Sequence, residues 1–374
     1  MKTWSFKATA LSGLLLAGLL MTGGCQRNED PVKIGFLGVL SGRGAPLGIS
    51  GRNAVQLAVD EANAAGGIRG RKVELVVKDS AMRAEVTRTA LDELKRRGVV
   101  AVIGPMTSSM GVEAVRHAPL MPLISPTVAT HELSGRKDNF FRVYPDQAYM
   151  AQQLTEHLCE GTNLRRFAIL SDEGNHAFTQ PWVAFFTRGL KRCNGEVVRH
   201  RTFQTRPLVS FKQLVGELAS PEVEAVFILA NATDTALIAQ QIAMRSAGWS
   251  LVGSEWSSSA GMVAMGGAAV EGMSWMQGFP LGRKSARFER FSTSYREMFG
   301  QAPDFSASYA YEASQLLLKA LAESPPEADL LGTLQAQRTF EGLYSPLTLN
   351  ASGDVERPLY LTTIRQGKPV PAGS

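Results

Sequence analysis

From residue 32 onward, apolar runs of strand length alternate with amphipathic runs of helix length, and this alternation predicts the architecture. Val32 to Leu37 reads as a strand. A helix near Ile49 to Ala65 puts Ala54, Leu57, Ala58, Ala62 and Ala65 near one face and stops at Gly66-Gly67. Lys72 to Lys78, a helix near Arg83 to Arg97 and Val99 to Ile103 complete a βαβαβ order, which implies a parallel sheet. A second cycle begins after Tyr144-Pro145, with a helix through Cys159, a strand at Phe167 to Leu170 and a helix ending near Cys193. Strands at Val197 and Val226, a helix near Thr235 to Ala247 and the run Leu251-Val252-Gly253-Ser254-Glu255 follow. From Phe288 onward, two more helical stretches and strands near Leu347 and Tyr360 are expected to complete both units. Two α/β units in 374 residues predict two lobes facing a cleft, where small ligands are most often buried.

The strand ends carry the first chemical signal. After Val99 to Ile103 the chain turns at Gly104-Pro105 and presents Thr107, Ser108 and Ser109 at a helix start, where unpaired N–H groups attract anions such as a carboxylate. After Leu123-Ile124, a second polar loop runs through Ser125, Thr127, Val128, Ala129 and Thr130, and ligands of open α/β sheets sit outside such carboxyl ends. Any single hydroxyl here also reads as an ordinary N-cap; two adjacent loops can share one ligand.

Composition narrows the class. The 39 basic residues exceed the 34 acidic ones only slightly and are dispersed, which argues against a nucleic-acid partner. Lys2 and Lys7 precede an apolar stretch from Ala8 to Met21, too short for a comfortable membrane span but suited to a signal peptide over residues 1–24. Thr22-Gly23-Gly24-Cys25 resembles the lipobox of bacterial lipoproteins, with Thr22 where Leu is usual. It implies a diacylated Cys25 and a tether over residues 25–31. Cys159 and Cys193 form an even pair in an oxidising compartment, each ending a helical pattern, and both a bridge and two separate thiols fit. No Cys/His spacing suggests a metal site.

The segments VKIGFLGVLSGRGAPLGISGRNAVQLAVDEANAAGGIRGRKVELVVKDS, VAVIGPMTSS, LISPTVATHEL, VGSEW and SYAYEASQLLLKAL together resemble type I periplasmic binding proteins, specifically the branched-chain amino-acid-binding proteins of ABC importers. The resemblance covers about residues 32 to 370. It implies two Rossmann-like lobes with parallel-sheet cores joined by a multi-strand hinge, with lobe 1 at 32–144 and 278–344 and lobe 2 at 145–277 and 345–374. By the same resemblance, Ser108, Thr127 and Ala129 hold a ligand carboxylate, Ala129 standing where the family has threonine and Thr130 offering a replacement after a small loop shift, and Glu255 of Gly253-Ser254-Glu255 holds the ammonium; Ser109 adds a hydroxyl at the same helix start. The family's aromatic wall positions fall on Leu47, His176 and Asp234. Trp256 is wall or core, and Asp234 alternatively caps the helix at Thr235. These departures favour an amino acid or related amide over a purely aliphatic amino acid. The family further implies no catalysis, no cofactor, a monomer and an ABC permease as partner, and the lipobox resemblance adds a lipid-anchored location facing the periplasm or cell exterior.

Two other functions stay open on residues alone. A sensor of the same fold would pass ligand occupancy to a protein partner. A dinucleotide-dependent enzyme is suggested by Gly35, Gly38, Gly42 and Gly44, but the spacing is not G-x-G-x-x-G and Asp79 lies too far along for the ribose-binding acid. No G-x-S-x-G elbow is present, and the five histidines lack a recognisable partner arrangement.

Overall fold

The computed structural model describes Met1 and residues 30–204, 209–246, 248–324, 329–336 and 339–372. The leader features, from Lys2 and Lys7 through Cys25, lie outside the described residues.

The first lobe follows the expected alternation: β1 (Val32–Gly38), α1 (Ala45–Ala64), β2 (Val73–Asp79), α2 (Ala84–Arg96), β3 (Val102–Ile103), α3 (Ser108–His117), β4 (Leu123–Ser125) and β5 (Phe140–Arg142). Its sheet is wholly parallel in the order β2-β1-β3-β4-β5. Only Val102 and Ile103 of the run from Val99 enter the ladder, although Val99 and Ala101 are buried too. The second lobe contains α4 (Gln147–Gly161), β6 (Arg166–Asp172), α5 (His176–Leu190), β7 (Glu196–Phe203), α6 (Phe211–Leu218), β8 (Ala225–Leu229), α7 (Ala232–Met244), β9 (Ser250–Gly253), α8 (Ala260–Gly266) and β10 (Ser274–Gln277).

Three helices then follow instead of the expected two: α9 (Ala286–Phe299), α10 (Phe305–Glu323) and α11 (Leu330–Ala336). The chain ends with β11 (Thr339–Glu341), β12 (Pro346–Leu349), β13 (Val355–Glu356), β14 (Tyr360–Arg365) and β15 (Lys368–Pro371). The second sheet runs β15-β14-β10-β9-β8-β6-β7, antiparallel only at β14 and β15. Its parallel part repeats the strand order of the first sheet.

Strands buried on both faces explain the near-continuous apolar runs. In β6 and β8, Phe167, Ile169 and Phe227 pack with Leu154, Trp182 and Phe186 of α4 and α5, while the alternate residues Ala168, Leu170, Val226 and Ile228 pack with Val215, Leu218 and Ile238 of α6 and α7. Truncating Phe227 to Ala would cost about 3–5 kcal/mol through the cavity left behind. In the first lobe, α9 and α10 pack on α1. Gly104 takes φ +124°, and a Cβ there would lie 2.2 Å from the Leu37 carbonyl, so glycine lets the β3 exit pass close against β1.

The chain crosses between lobes three times, after β5, after β10 and after β13. The division placed after residue 344 falls inside the β11–β12 hairpin, whose register pairs Thr339 with Thr348. The β12–β13 segment is held to the first lobe, with Arg142 N donating to Gly353 O at 3.0 Å and Arg142 Nε 2.8 Å from Asp354. The third crossing therefore lies at residues 357–359. Short apolar alternation at Leu347 and Leu349 marks a strand without saying which sheet it joins, and the structure makes it part of a separate three-stranded sheet. Cys159 and Cys193 are disulfide-bonded, Cα–Cα 5.5 Å, joining the ends of α4 and the turn after α5.

Candidate functional site

Both sheets turn their carboxyl strand ends toward the space between the lobes. The 2-1-3-4-5 order puts a topological switch between β1 and β3 in one lobe and between β6 and β8 in the other.

On the first lobe, the two polar loops are stitched together. Thr127 Oγ1 donates to Met106 O at 2.6 Å, Ser125 Oγ donates to Pro105 O at 2.8 Å, and Ser108 Oγ accepts from Ala129 N at 3.2 Å. Ala129 O in turn accepts from Gln147 N at 3.0 Å. Thr130, fully buried, accepts from Glu132 N and caps a short 3-10 turn. The expected carboxylate donors are therefore gathered in one place, with their hydrogen bonds closed on one another.

Polar contacts join the lobes at several points. Ser109 N donates to Asn175 Oδ1 at 3.0 Å, Ala177 N donates to Ser109 Oγ at 3.1 Å, and the exposed His176 ring approaches Ser109 Oγ at 3.4 Å. Thus the N-terminus of α3 meets that of α5, with Asn175 accepting at the position considered for an anion. Elsewhere Arg43 Nη1 lies 3.0 Å from the fully buried Asp234 carboxylate. The Arg43 guanidinium also stands 5.6 Å from the Phe211 ring centroid. Asp234 does not cap the helix at Thr235. Asn231 is the N-cap of α7, its Oδ1 accepting from Asp234 N at 3.0 Å and its Nδ2 donating to Asp234 Oδ2 at 2.7 Å. Leu47 and Trp256, both buried, line a common void of about 10 Å³ with Arg43 and Asn231. That is room for about one water. Trp256 also packs edge-on against Phe178, at 5.4 Å between centroids, so it is both wall and core.

Glu255 follows β9 after one intervening residue, Ser254, and is 1% exposed. The Tyr309 hydroxyl lies 3.2 and 3.4 Å from its two oxygens and accepts from Gly278 N at 3.1 Å. Tyr144 hydrogen-bonds the same carboxyl. Burial pushes Glu255 up to about 8, against the opposing pull of the Tyr144 hydrogen bond, the Arg357 guanidinium and the Tyr309 hydrogen bond. Burial likewise drives the Tyr144 and Tyr309 hydroxyls well above their ordinary range, so both stay protonated donors. Arg357 is paired with the buried Glu312 at 3.0 Å, donates to Val143 O at 3.1 Å and lies 4.8 Å from the Tyr309 ring centroid. A cavity of about 520 Å³ opens beside Glu255.

The residues that sequence reasoning missed are Arg43, Asn175, Tyr144, Tyr309 and Arg357. Among the described residues, no cluster of His, Cys, Asp and Glu suits a metal, and no helix is long and apolar enough to cross a membrane.

A family model described as periplasmic binding protein matches residues 31–369. A Leu/Ile/Val-binding protein homolog from Brucella melitensis is 21% identical over 333 residues, covering 88% of this chain and 90% of its own. The branched-chain amino acid transporter substrate-binding protein of Streptococcus pneumoniae, solved in complex with isoleucine, superposes with TM-score 0.79 at 23% identity, covering 91% of this chain and 98% of that one. An ABC transporter solute-binding protein of R. palustris in complex with benzoate superposes with TM-score 0.82 at 21% identity, over 92% and 96% of the two chains.

Proposed function

The chain belongs to the type I periplasmic binding proteins of the branched-chain amino-acid-binding family, and from that premise we propose that it captures an amino acid or related amide between its lobes and delivers it to an ABC permease. Solute binding is the family's work, and we read this chain as a binder that performs no chemistry of its own. In this reading Ser108, the Ala129 N–H and the Thr127 loop exchange their mutual bonds for the ligand's carboxylate or amide oxygen, with Ser109 and Thr130 at the edge. Glu255 takes the ammonium, Leu47 and Trp256 bracket the ligand, and His176 closes the rim. Asp234, engaged by Arg43, contributes as a clasp between lobes. A diacylated Cys25 holds the monomer on the extracytoplasmic face of a membrane.

The observation that carries this reading is a carboxyl buried at a cleft-facing strand end, with the Tyr309 hydroxyl on it and the Tyr144 hydroxyl beside it. The guanidinium that acts on it, Arg357, is already committed to Glu312. An ionised Glu255 therefore lacks a dedicated counter-charge, and a ligand ammonium supplies one.

Calorimetry of protein stripped of ligand by unfolding and refolding, against amino acids, their amides, benzoate and nucleotides, tests the proposal. Amino compounds are expected to bind best. At pH 8 and above Glu255→Gln should cost them about 2–5 kcal/mol by leaving the ammonium without its charged partner. Ser108→Ala removes one charge-assisted hydrogen bond and should cost about 1.5–3 kcal/mol. A dinucleotide binding more tightly than every amino compound, with Glu255→Gln silent, would overturn the reading.

A further inference from the structure

The strands of the first lobe all enter their sheet at the pole opposite the cleft, and the helices that return between them finish there. Hydrogen bonds stitch the entering segments together. Val32 N donates to Lys72 O at 2.8 Å, Val100 N to Lys33 O at 2.9 Å and Leu123 N to Asn139 O at 2.9 Å. The Asn139 amide donates to Ala118 O and Met121 O, which fixes the turn carrying Leu120. Helix α2 ends at the same pole with Lys95 and Arg96 in its last turn. The strand order puts Lys72 at the β2 edge and Arg136-Lys137 toward the β5 edge, with Val100 and Leu120 ahead of the inner strands β3 and β4.

Lys72, Lys95, Arg96, Arg136 and Lys137 are exposed and form no close ion pair among the described residues; Arg96 and Arg136 act at longer range on Glu93 and Asp138. On the second lobe, by contrast, Arg166, Arg192 and Arg201 pair with Glu224, Glu156 and Glu217 at 2.7 to 3.0 Å. The carboxylates at the pole are largely spent. Glu74 pairs with Arg97 at 3.2 Å and Glu323 with Lys319 at 3.9 Å, while Asp138 and Asp329 accept from Phe140 N and Leu331 N. Asp30, exposed, offsets one charge. Cations in the last turn of α2 complement its dipole, but Lys72, Arg136 and Lys137 stand outside helices. Among them Leu120 is 87% exposed and Val100 40%. One exposed leucine is ordinary; two exposed apolar residues ahead of paired strands, flanked on both sides by cations, match a lipid interface. After Met1, the described chain resumes at Asp30 on this pole, where Arg71 Nε donates to Asp30 O at 2.8 Å. Cys25 stands five residues earlier, so covalent geometry keeps it within about 18 Å of Asp30, at about 3.6 Å per residue.

We propose that this pole docks on the anionic surface of a lipid bilayer, seating the first lobe against the membrane with Leu120 and Val100 at the headgroups and the second lobe standing off it. A diacylated cysteine already retains a protein, so the pole sets orientation and not retention. The attraction fades within a Debye length of about 8 Å at physiological salt, which brings it into play for a chain tethered at this end and too weak to hold an untethered one. With the first lobe seated, the second swings on the hinge without moving the attached half. The tether argument uses acylation of Cys25; the lipid contact itself does not.

The test is co-sedimentation of the mature chain from residue 25, carrying Cys25→Ser, with vesicles of phosphatidylglycerol mixed with phosphatidylcholine and with phosphatidylcholine alone, at low and high salt. Binding is expected on the anionic vesicles at low salt and is lost at high salt and on the neutral ones. Lys95→Glu with Arg96→Glu should weaken it by about tenfold or more, and Lys72→Glu with Lys137→Glu likewise, each in protein that keeps the wild-type melt. Leu120→Ser should weaken it by about threefold. Lys191→Glu with Arg199→Glu, an equal charge change on exposed residues of the second lobe, should leave it unchanged. Binding that ignores lipid charge, or that both lobes' reversals weaken alike, would overturn the proposal. Self-association of this chain removed by the same pole reversals would overturn it too, assigning the pole to a second copy. Because the chain tested carries no acyl group, a failure here leaves the Cys25 anchor standing, and a failure of Cys25 labelling leaves the lipid contact standing.

Discussion

Binding of an amino compound is expected to release a proton below about pH 8, because the Glu255 carboxyl must ionise before it can pair with an ammonium. In the free protein burial holds this group at about 8, so at pH 7 it is mostly protonated. Ionising it costs about 1.4 kcal/mol at pH 7 and about 2.7 kcal/mol at pH 6, taking about 1.36 kcal/mol per pH unit. Affinity should rise roughly tenfold per unit between pH 6 and 8, about a hundredfold in total, and then level off. The assay is calorimetry in buffers of different ionisation enthalpy, where the observed heat at pH 6 should report close to one proton released per ligand. Glu255→Gln should abolish that release and flatten the pH profile. Folding stability carries the same sign. A carboxyl raised from 4.5 to about 8 favours the native state most below its unfolded value, and that contribution is lost as pH rises through about 8. The glutamine variant of the free protein should therefore gain melting temperature over wild type at pH 8 and show little difference at pH 5. Buffer-independent heats with an unchanged affinity between pH 6 and 8 would refute this account of Glu255.

The remaining expectations concern other parts of the chain. Reducing the Cys159–Cys193 bridge, which closes a 34-residue separation, should lower stability by about 3–4 kcal/mol through the unfolded state, read as a drop in melting temperature; an unchanged melt after complete alkylation would refute it. Arg43→Ala leaves Asp234 without its guanidinium and should expand the free protein more than Asp234→Asn does, seen as a larger radius of gyration by small-angle scattering; identical curves would discount the clasp. Cys25→Ser should abolish lipid labelling and release the protein from membranes in a fractionation experiment, and retained labelling would place the anchor elsewhere.

The strand and helix order was legible because parallel strands buried on both faces write continuous apolar runs, and helices such as α1 write a periodic face. Loop chemistry at the strand ends was legible for the same topological reason, bringing Ser108, Ala129 and Glu255 to the cleft side. The tyrosines at Glu255 were not, since Tyr309 sits in the apolar pattern of α10, where a buried ring reads as packing and its hydroxyl partner, 54 residues away in sequence, leaves no local trace. Arg43 lies in a glycine-rich loop that reads as solvated. The cap of α7 was readable and misassigned: Asn231 stands three residues before Asp234, the spacing of a reciprocal cap, and the periodic pattern beginning at Thr235 drew the helix start too late. Strand β12 shows the opposite limit, in that two alternating leucines specify a strand but not its sheet.

Closure needs an energy that differs between open and closed lobes, and the contacts divide into two unequal sets. The direct clasps include Ser109 with Asn175 and Ala177, and Arg43 with Asp234, beside the Tyr309–Glu255 bond. Neutral hydrogen bonds contribute about 0.5–1.5 kcal/mol each. The Arg43 side chain is 23% exposed, so solvent screens its half of the pair, and a clasp of this kind must also offset the desolvation of Asp234. On the proposed reading, a zwitterion bridging the first-lobe loops and Glu255 would add charge-assisted bonds at both ends, each worth about 1.5–3 kcal/mol, and would form them only when the lobes meet. On that reading the ligand term dominates, and its effect reaches the hinge directly. Glu255 is bonded to Tyr309 of the first lobe; Arg357, in the third crossing, lies over the Tyr309 ring, 4.7 Å from the Phe279 centroid in the second crossing, and donates to Val143 O in the first. Charge placed at Glu255 thus acts where all three connections converge, which couples occupancy to lobe orientation without a relay through either core.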